Sequence, residues 1–158
     1  MGIYGHRARI GYTSPPATTE IFPYEFYKIV PDGVTLVITT LAIMKLTSDE
    51  VDQSYEISLR AARQMAETGI DLMVFGGVPI NVSRGFDNVG DLIDETATEI
   101  GIPVTTSLNA QMNALKAVGA KKVGIVHPFN QESSHDDMHR EGLMRHGFEL
   151  AAIKEVGS

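Results

Sequence analysis

Apolar and polar positions along the 158 residues switch repeatedly between a period of two and a period near 3.6, and the switches mark alternating strands and helices. Arg9–Thr13 is a short apolar strand followed by Ser14-Pro15-Pro16-Ala17-Thr18-Thr19, whose two prolines predict a loop. Glu20–Val30 is rich in aromatics and predicts a helix after Pro23, closed by the turn Pro31-Asp32-Gly33. Val34–Thr39 has the β-branched content of a strand. Thr47-Ser48-Asp49-Glu50 fits a capping box, in which Thr47 accepts the N–H of Glu50 and the Glu50 carboxylate reaches back. Val51, Tyr55, Ile57, Leu59, Ala62 and Met65 carry that helix on to Gly69, a natural stop.

Asp71–Phe75 is the next strand, and Asn88–Ile100 is an acidic helix with Val89, Leu92, Ile93 and Ala97 at helical spacing. Gly101-Ile102-Pro103 turns into the strand Val104–Thr106, and Leu108–Val118 is a helix ended by Gly119. Lys122–Val126 predicts a strand, Gln131–His146 a polar helix and Phe148–Ile153 a last strand. Such alternation in units of βαβ length argues for an α/β fold, a parallel sheet with helices on both faces. It stops on a strand, since only Lys154-Glu155-Val156-Gly157-Ser158 follow Ile153.

Between the strand ending at Phe75 and the helix near Asn88 lies Gly76-Gly77-Val78-Pro79-Ile80-Asn81-Val82-Ser83-Arg84-Gly85. Paired glycines at the carboxyl end of a strand let the backbone bend sharply and approach a ligand closely. In open α/β sheets that is the edge where ligands bind. The plain alternative is a strand-to-helix turn with no ligand.

Composition narrows the function classes. The 43% hydrophobic and 21% charged residues are those of a soluble globular protein. A net charge of −7 argues against a nucleic-acid partner. No apolar run is long enough to span a membrane, and Met1-Gly2-Ile3-Tyr4-Gly5-His6-Arg7 lacks the apolar core of a secretory signal, which makes a cytoplasmic location the default. Cysteine is absent, which removes disulfides, zinc–thiolate sites and thiol nucleophiles together.

Neither G-x-G-x-x-G nor a phosphate-loop motif is present, and Pro15 and Pro16 take two N–H donors out of the Ser/Thr-rich segment that a flavin phosphate would need; no cofactor is expected. His135 and His139 have the i, i+4 spacing of a metal pair, but Asp136, Asp137 and the flanking serines read as a solvated helix start, so no metal is expected. Arg84 suits either a bidentate fork to a substrate carboxylate or an ion pair with a neighbouring helix, and the structural role is favoured. No catalytic pair is identified by spacing. The residues alone therefore give a small-molecule site at the strand ends, without its chemistry.

Taken together, Ile10-Gly11-Tyr12-Thr13-Ser14-Pro15-Pro16-Ala17, the Thr47 helix start, the glycine loop ending Ser83-Arg84-Gly85, Pro103-Val104-Thr105-Thr106-Ser107 and Val123-Gly124-Ile125-Val126-His127-Pro128-Phe129 resemble the Asp/Glu racemase superfamily. The branch that the chain most resembles is that of arylmalonate decarboxylase and maleate isomerase, over nearly its whole length. The resemblance implies one lobe of a two-lobed fold with the active site between lobes: residues 1–120 as the first lobe and 121–158 as the start of a second. It also implies cofactor-independent chemistry on a carbon acid. The racemases use one cysteine per lobe as opposed acid and base. The decarboxylases keep only the second-lobe cysteine and have glycine at the first position, where Gly77 falls here. Two-base racemization is then not expected, because one face of the substrate lacks its proton-transfer group.

Carried over from that resemblance, Pro15 lines the cleft, Ile43, Leu46 and Val51 supply an apolar pocket, and Gly76, Gly77, Val78 and Pro79 face a substrate carboxylate. Phe129 stands where the family usually has tyrosine, and Val78 and Pro79 replace hydroxyl residues. Losing one oxyanion donor typically costs ~10²–10³ in rate. Asn81, Ser83, His127 and Asn130 are the candidates to replace the lost donors. The family's catalytic cysteine comes later than Ser158, so the chain is expected to be either part of a longer enzyme or a stand-alone half, and inactive alone. The expected function is a cofactor-independent lyase or isomerase on a small carboxylic acid, through an enediolate-type intermediate. The alternative is a binding or interaction module on the same scaffold. In either case an exposed apolar edge where a second lobe docks favours homo-oligomerization.

Overall fold

The structure, a computed structural model, describes residues 4–45, 47–127 and 133–156, with only the backbone of His127, Ser133–His135 and Glu155. The chain forms two compact units, Met1–Ser107 and Leu108–Ser158.

In the first unit the strands β1 (Ala8–Pro16), β2 (Val34–Ile43), β3 (Leu72–Phe75) and β4 (Val104–Thr106) form one parallel sheet in the order β2-β1-β3-β4. Helices α1 (Ile21–Ile29), α2 (Ser48–Glu67), α3 (Val78–Asn81) and α4 (Val89–Ile100) connect them, and a 3₁₀ turn, Phe86–Asn88, leads into α4. Neighbouring residues of a strand face opposite ways. Gly11 of β1 faces Met65 and Ile70, whereas Tyr12 stacks its ring on Phe22 of α1 with centroids 4.2 Å apart. Helices therefore cover both faces, as the alternation predicts.

The core lies on the α2 side and consists of Ala62, Met65, Ile70, Met73, Phe75 and Leu92, with Val37, Leu59 and Val104 packed against it. Gly11 is glycine for a packing reason: a Cβ there would stand 2.6 Å from Ile70 Cδ1 and 3.1 Å from Met73 Sδ. The α1 side is thinner, for α1 buries none of its residues and leaves Ile21, Tyr24 and Ile29 exposed.

Three local features position the strand ends. The Thr47–Glu50 capping box is present, and the Glu50 carboxylate accepts further hydrogen bonds from the N–H groups of Met44 (3.3 Å) and Lys45 (2.9 Å). One side chain thus ties the end of β2 to the start of α2. At the other end of α2, Arg9 of β1 donates through Nη1 to the carbonyls of Thr68 and Gly69, satisfying orphan acceptors of the last turn. Asp71 accepts the Arg9 N–H at 2.7 Å and sets the start of β3.

Two segments differ from expectation. Ser14-Pro15-Pro16 is the end of β1 rather than loop, with a register irregularity between Ser14 and Pro16. Pairing with β3 already stops at Thr13↔Phe75; Pro15 falls at the irregularity and Pro16 stands opposite Ile43 of β2, an irregular edge that tolerates their missing N–H groups. Helix α1 begins at Ile21, before Pro23, because a first-turn N–H has no intrahelical acceptor to lose.

The second unit contains most of α5 (Ser107–Ala117), then β5 (Lys122–His127), α6 (Ser133–Arg145) and β6 (Glu149–Glu155). β5 and β6 pair in parallel as a separate two-stranded sheet. Leu143 and Phe148 are buried here, and Glu149 N–H donates to Lys121 O at 2.8 Å to start the pairing. Among the described residues no helix is long and apolar enough to cross a membrane.

Candidate functional site

Parallel strands put all their carboxyl ends on one edge, so β1 delivers Thr13–Pro16, β2 Ile43, β3 Phe75-Gly76-Gly77 and β4 Thr106 to the same side of the first unit. At its centre the chain leaves β3 through Gly76 and Gly77 and turns at once into α3. Gly77 has φ +81°, a conformation open to glycine and strained for other residues. The residues from 78 on are a four-residue helix where the sequence suggested open loop; Pro79 fits its first turn, and Asn81 N–H returns to Gly77 O at 3.0 Å.

The glycines are also dictated by what surrounds them. A Cβ on Gly77 would lie 2.6 Å from Cγ of Pro15 and 3.2 Å from Cδ1 of Ile80. A Cβ on Gly76 would lie 2.0 Å from the carbonyl oxygen of Thr13 and 2.8 Å from the Tyr12 hydroxyl. The Gly76 N–H donates to Thr13 Oγ1 at 3.1 Å, and Thr13 is fully buried. β1 thus holds the loop by backbone contact, a hydroxyl and a proline ring.

Asn81 supports it from the other side. Buried at 3% exposure, it donates through Nδ2 to Phe75 O at 3.2 Å and accepts from Ser107 Oγ at 2.9 Å. Ser83 Oγ donates to Ile80 O at 2.9 Å. Asn81 and Ser83, two of the four candidate replacement donors, are therefore engaged with the protein itself. Arg84 pairs with Asp52 at 3.2 Å and Glu56 at 3.7 Å and sits over the Tyr55 ring, which is the structural role expected of it.

Of the other expected site residues, Val78 is buried, Pro79 half-buried, and Ile43 stands opposite Pro16 in the β1–β2 register. Val51 is half-buried in the first turn of α2, its N–H bonded to Thr47 O. Leu46, Phe129 and Asn130, together with the side chains of His127 and His135, lie outside the described residues. Among the described residues no three acidic or histidine side chains gather as a metal would require.

Sequence reasoning passed over Tyr12, Thr13 and Ser107. Burial pushes the Tyr12 phenol above the ordinary tyrosine value of 10.0. Burial likewise raises Tyr55, opposed by the charge of Arg84. The signal for Thr13 and Tyr12 is their place on the strand that ends in Pro15-Pro16, beside the strand that ends in two glycines.

A family model described as arylmalonate decarboxylase matches residues 10–157. A search of curated proteins found no match. Among solved structures, a liganded arylmalonate decarboxylase carrying a glycine-to-cysteine and a cysteine-to-serine exchange is similar with a TM-score of 0.80 at 19% identity, over 95% of this chain and 62% of that one. The maleate isomerase Iso from Pseudomonas putida is similar with a TM-score of 0.76 at 18% identity, over 96% and 64%. Maleate cis-trans isomerase from Nocardia farcinica, in a mutant with a covalently bound succinylcysteine intermediate, gives a TM-score of 0.81 at 14% identity, again over 96% and 64%. The chain spans less than two thirds of the length of each of them.

Proposed function

The chain belongs to the arylmalonate decarboxylase family, and from that premise we propose that its first unit is the carboxylate-binding lobe of a cofactor-independent lyase or isomerase. The observation that carries the reading is the Gly76–Gly77 turn at the carboxyl end of β3. Its backbone is pinned by Thr13 and Asn81 at the strand edge where open α/β sheets bind ligands. In this reading Gly76–Pro79 receives a carboxylate of a small diacid, and Pro15, Ile43 and Val51 present apolar surface to the rest of it. In this reading Leu46 belongs to the same apolar surface. The second lobe starts near residue 121.

The chemistry asked of the site is the release or rearrangement of a carbon acid. In decarboxylation the bond from the α-carbon to one carboxyl carbon breaks, CO₂ leaves, and the electron pair passes into the remaining carboxylate as an enediolate. A proton then returns to the α-carbon. Fixed donors aimed at the enediolate oxygens lower that barrier. In this reading the proton comes from a group outside these 158 residues, since the chain has no cysteine and Gly77 is read as the first-lobe position. The solved relatives are arylmalonate decarboxylases and maleate isomerases, so arylmalonates and maleate are the substrates to try. Release of CO₂ from phenylmalonate, or conversion of maleate to fumarate, by the protein from its native source is expected; neither occurring would overturn the enzyme reading.

A second reading is favoured by the same missing cysteine: a module that binds a small carboxylate without turning it over. It predicts binding near Gly77 and no consumption, and substrate loss with the 158-residue chain alone would contradict it. Either reading includes self-association through an exposed apolar edge. A monodisperse monomer in sedimentation would remove that part.

A further inference from the structure

The carboxylate reading leaves a shortage of side-chain donors. Val78 and Pro79 offer no side-chain hydroxyl, and the polar groups of Asn81 and Ser83 are bonded to Phe75, Ser107 and Ile80. The Gly76 N–H is taken by Thr13. One hydroxyl does reach the turn from β1. The Tyr12 hydroxyl stands 2.8 Å from where a Cβ on Gly76 would be, and this glycine's missing side chain is the space it uses. The ring is held against Phe22 at a 17° interplanar angle, so the hydroxyl is delivered from a stacked, half-buried position rather than from a free rotor. No hydrogen bond of that hydroxyl is present among the described residues.

We propose that Tyr12 supplies the hydrogen-bond donor to the carboxylate held at Gly76–Pro79, in place of the hydroxyls that Val78 and Pro79 do not carry. The proposal rests on the carboxylate reading of that turn. It explains two features at once: why a tyrosine stands on the α1 face of β1 with its polar end at the strand edge, and why Gly76 leaves space on that side. A tyrosine phenol is protonated at neutral pH, as a donor to an anion must be, and burial raises its value further from 10.0.

The test is calorimetric titration of maleate into the unmodified chain, Tyr12→Phe and, as a control, Tyr24→Phe. Phenylalanine at position 12 retains the stack on Phe22 and removes only the hydroxyl. A hydrogen bond to a charged group is strong enough that its loss weakens binding about tenfold to a hundredfold. That loss is expected for Tyr12→Phe and no change for Tyr24→Phe, whose side chain is exposed. Maleate should also perturb the near-ultraviolet tyrosine absorption of the unmodified chain, and the perturbation should vanish in Tyr12→Phe. Equal maleate affinity of Tyr12→Phe and the unmodified chain would overturn the role of Tyr12 and leave the carboxylate reading standing. Absence of binding by the unmodified chain would overturn both.

Discussion

The ring of Pro15 occupies the space into which a side chain on Gly77 would grow: its Cγ lies 2.6 Å from the position of such a Cβ. The relationship joins the ends of two strands that are distant in sequence and fixes a glycine at this position. With φ at +81°, a substituted residue is strained by backbone conformation as well as by contact.

Gly77→Ala and Gly77→Cys are therefore expected to lose about 1–3 kcal/mol of stability in urea unfolding, the range for a non-glycine residue forced to positive φ together with overpacking. Pro15→Ala removes one of the two causes. In a double-mutant cycle the Pro15→Ala, Gly77→Cys pair should be less destabilised than the sum of its parts. Because the chain has no cysteine, the introduced thiol is unique, and its labelling rate reports independently whether position 77 is accessible.

Gly76→Ala should be worse than Gly77→Ala. The obstacle at Gly76 is the main-chain oxygen of Thr13 at 2.0 Å, which has no rotamer by which to yield. Thr13→Val tests the same contact from the other side. It keeps the shape and leaves the Gly76 N–H without its buried acceptor, at a cost of about 1–3 kcal/mol. An unfolding midpoint unchanged in both variants would contradict the claim that β1 pins the turn.

Asn81→Ala strands Phe75 O and Ser107 Oγ together, so a loss of about 1–3 kcal/mol is expected. Hydrogen exchange at the Gly77 and Ser107 amides should accelerate with it. Ser107→Ala removes a single donor and should cost less.

The Glu50 carboxylate accepts from three backbone N–H groups across the β2–α2 connection, those of Met44, Lys45 and Thr47, while its own N–H donates to Thr47 Oγ1. Glu50→Ala is expected to destabilise by about 1–2 kcal/mol, at the upper part of the capping range. Thr47→Ala should cost less than Glu50→Ala, and the reverse order by chemical denaturation would argue that the box alone matters.

Alkaline pH offers a further check. The Tyr12 pKa is raised by burial, so between its ordinary value of 10.0 and its folded value the folded state holds a proton that the unfolded state has released. The stabilisation from Tyr12 is present in full below pH 10.0 and is lost as pH rises through the folded pKa. Tyr12→Phe should move the alkaline unfolding midpoint upward, and Tyr55→Phe should do so as well, since burial is also the largest cause there.

Much of the fold is legible in the sequence because its signals are local. The Thr47–Glu50 box, the Gly101 and Gly119 stops and the β-branched run from Val34 each need only a few neighbouring residues. The extension of β1 through Pro15 and Pro16 is not legible, because a proline's missing N–H matters only where a partner strand waits for it, and β3 has ended by then. Nor is α3, whose four residues carry no periodicity. The glycine turn can be picked out as the site's centre from its place after a buried strand. The parts played by Thr13, Tyr12 and Ser107 cannot, since they depend on the Thr13↔Phe75 register and on a hydrogen bond spanning 63 positions.

The measurement that tests the central claim most directly is an amide-resolved NMR titration of the uniformly ¹⁵N-labelled chain with maleate. Saturable shifts concentrated at Gly76, Gly77, Val78, Ile80 and Asn81, with Thr13 and Tyr12 moving alongside, are the predicted result. No saturable shifts, or shifts gathered away from the carboxyl ends of β1 and β3, would contradict the claim that this turn is a carboxylate site.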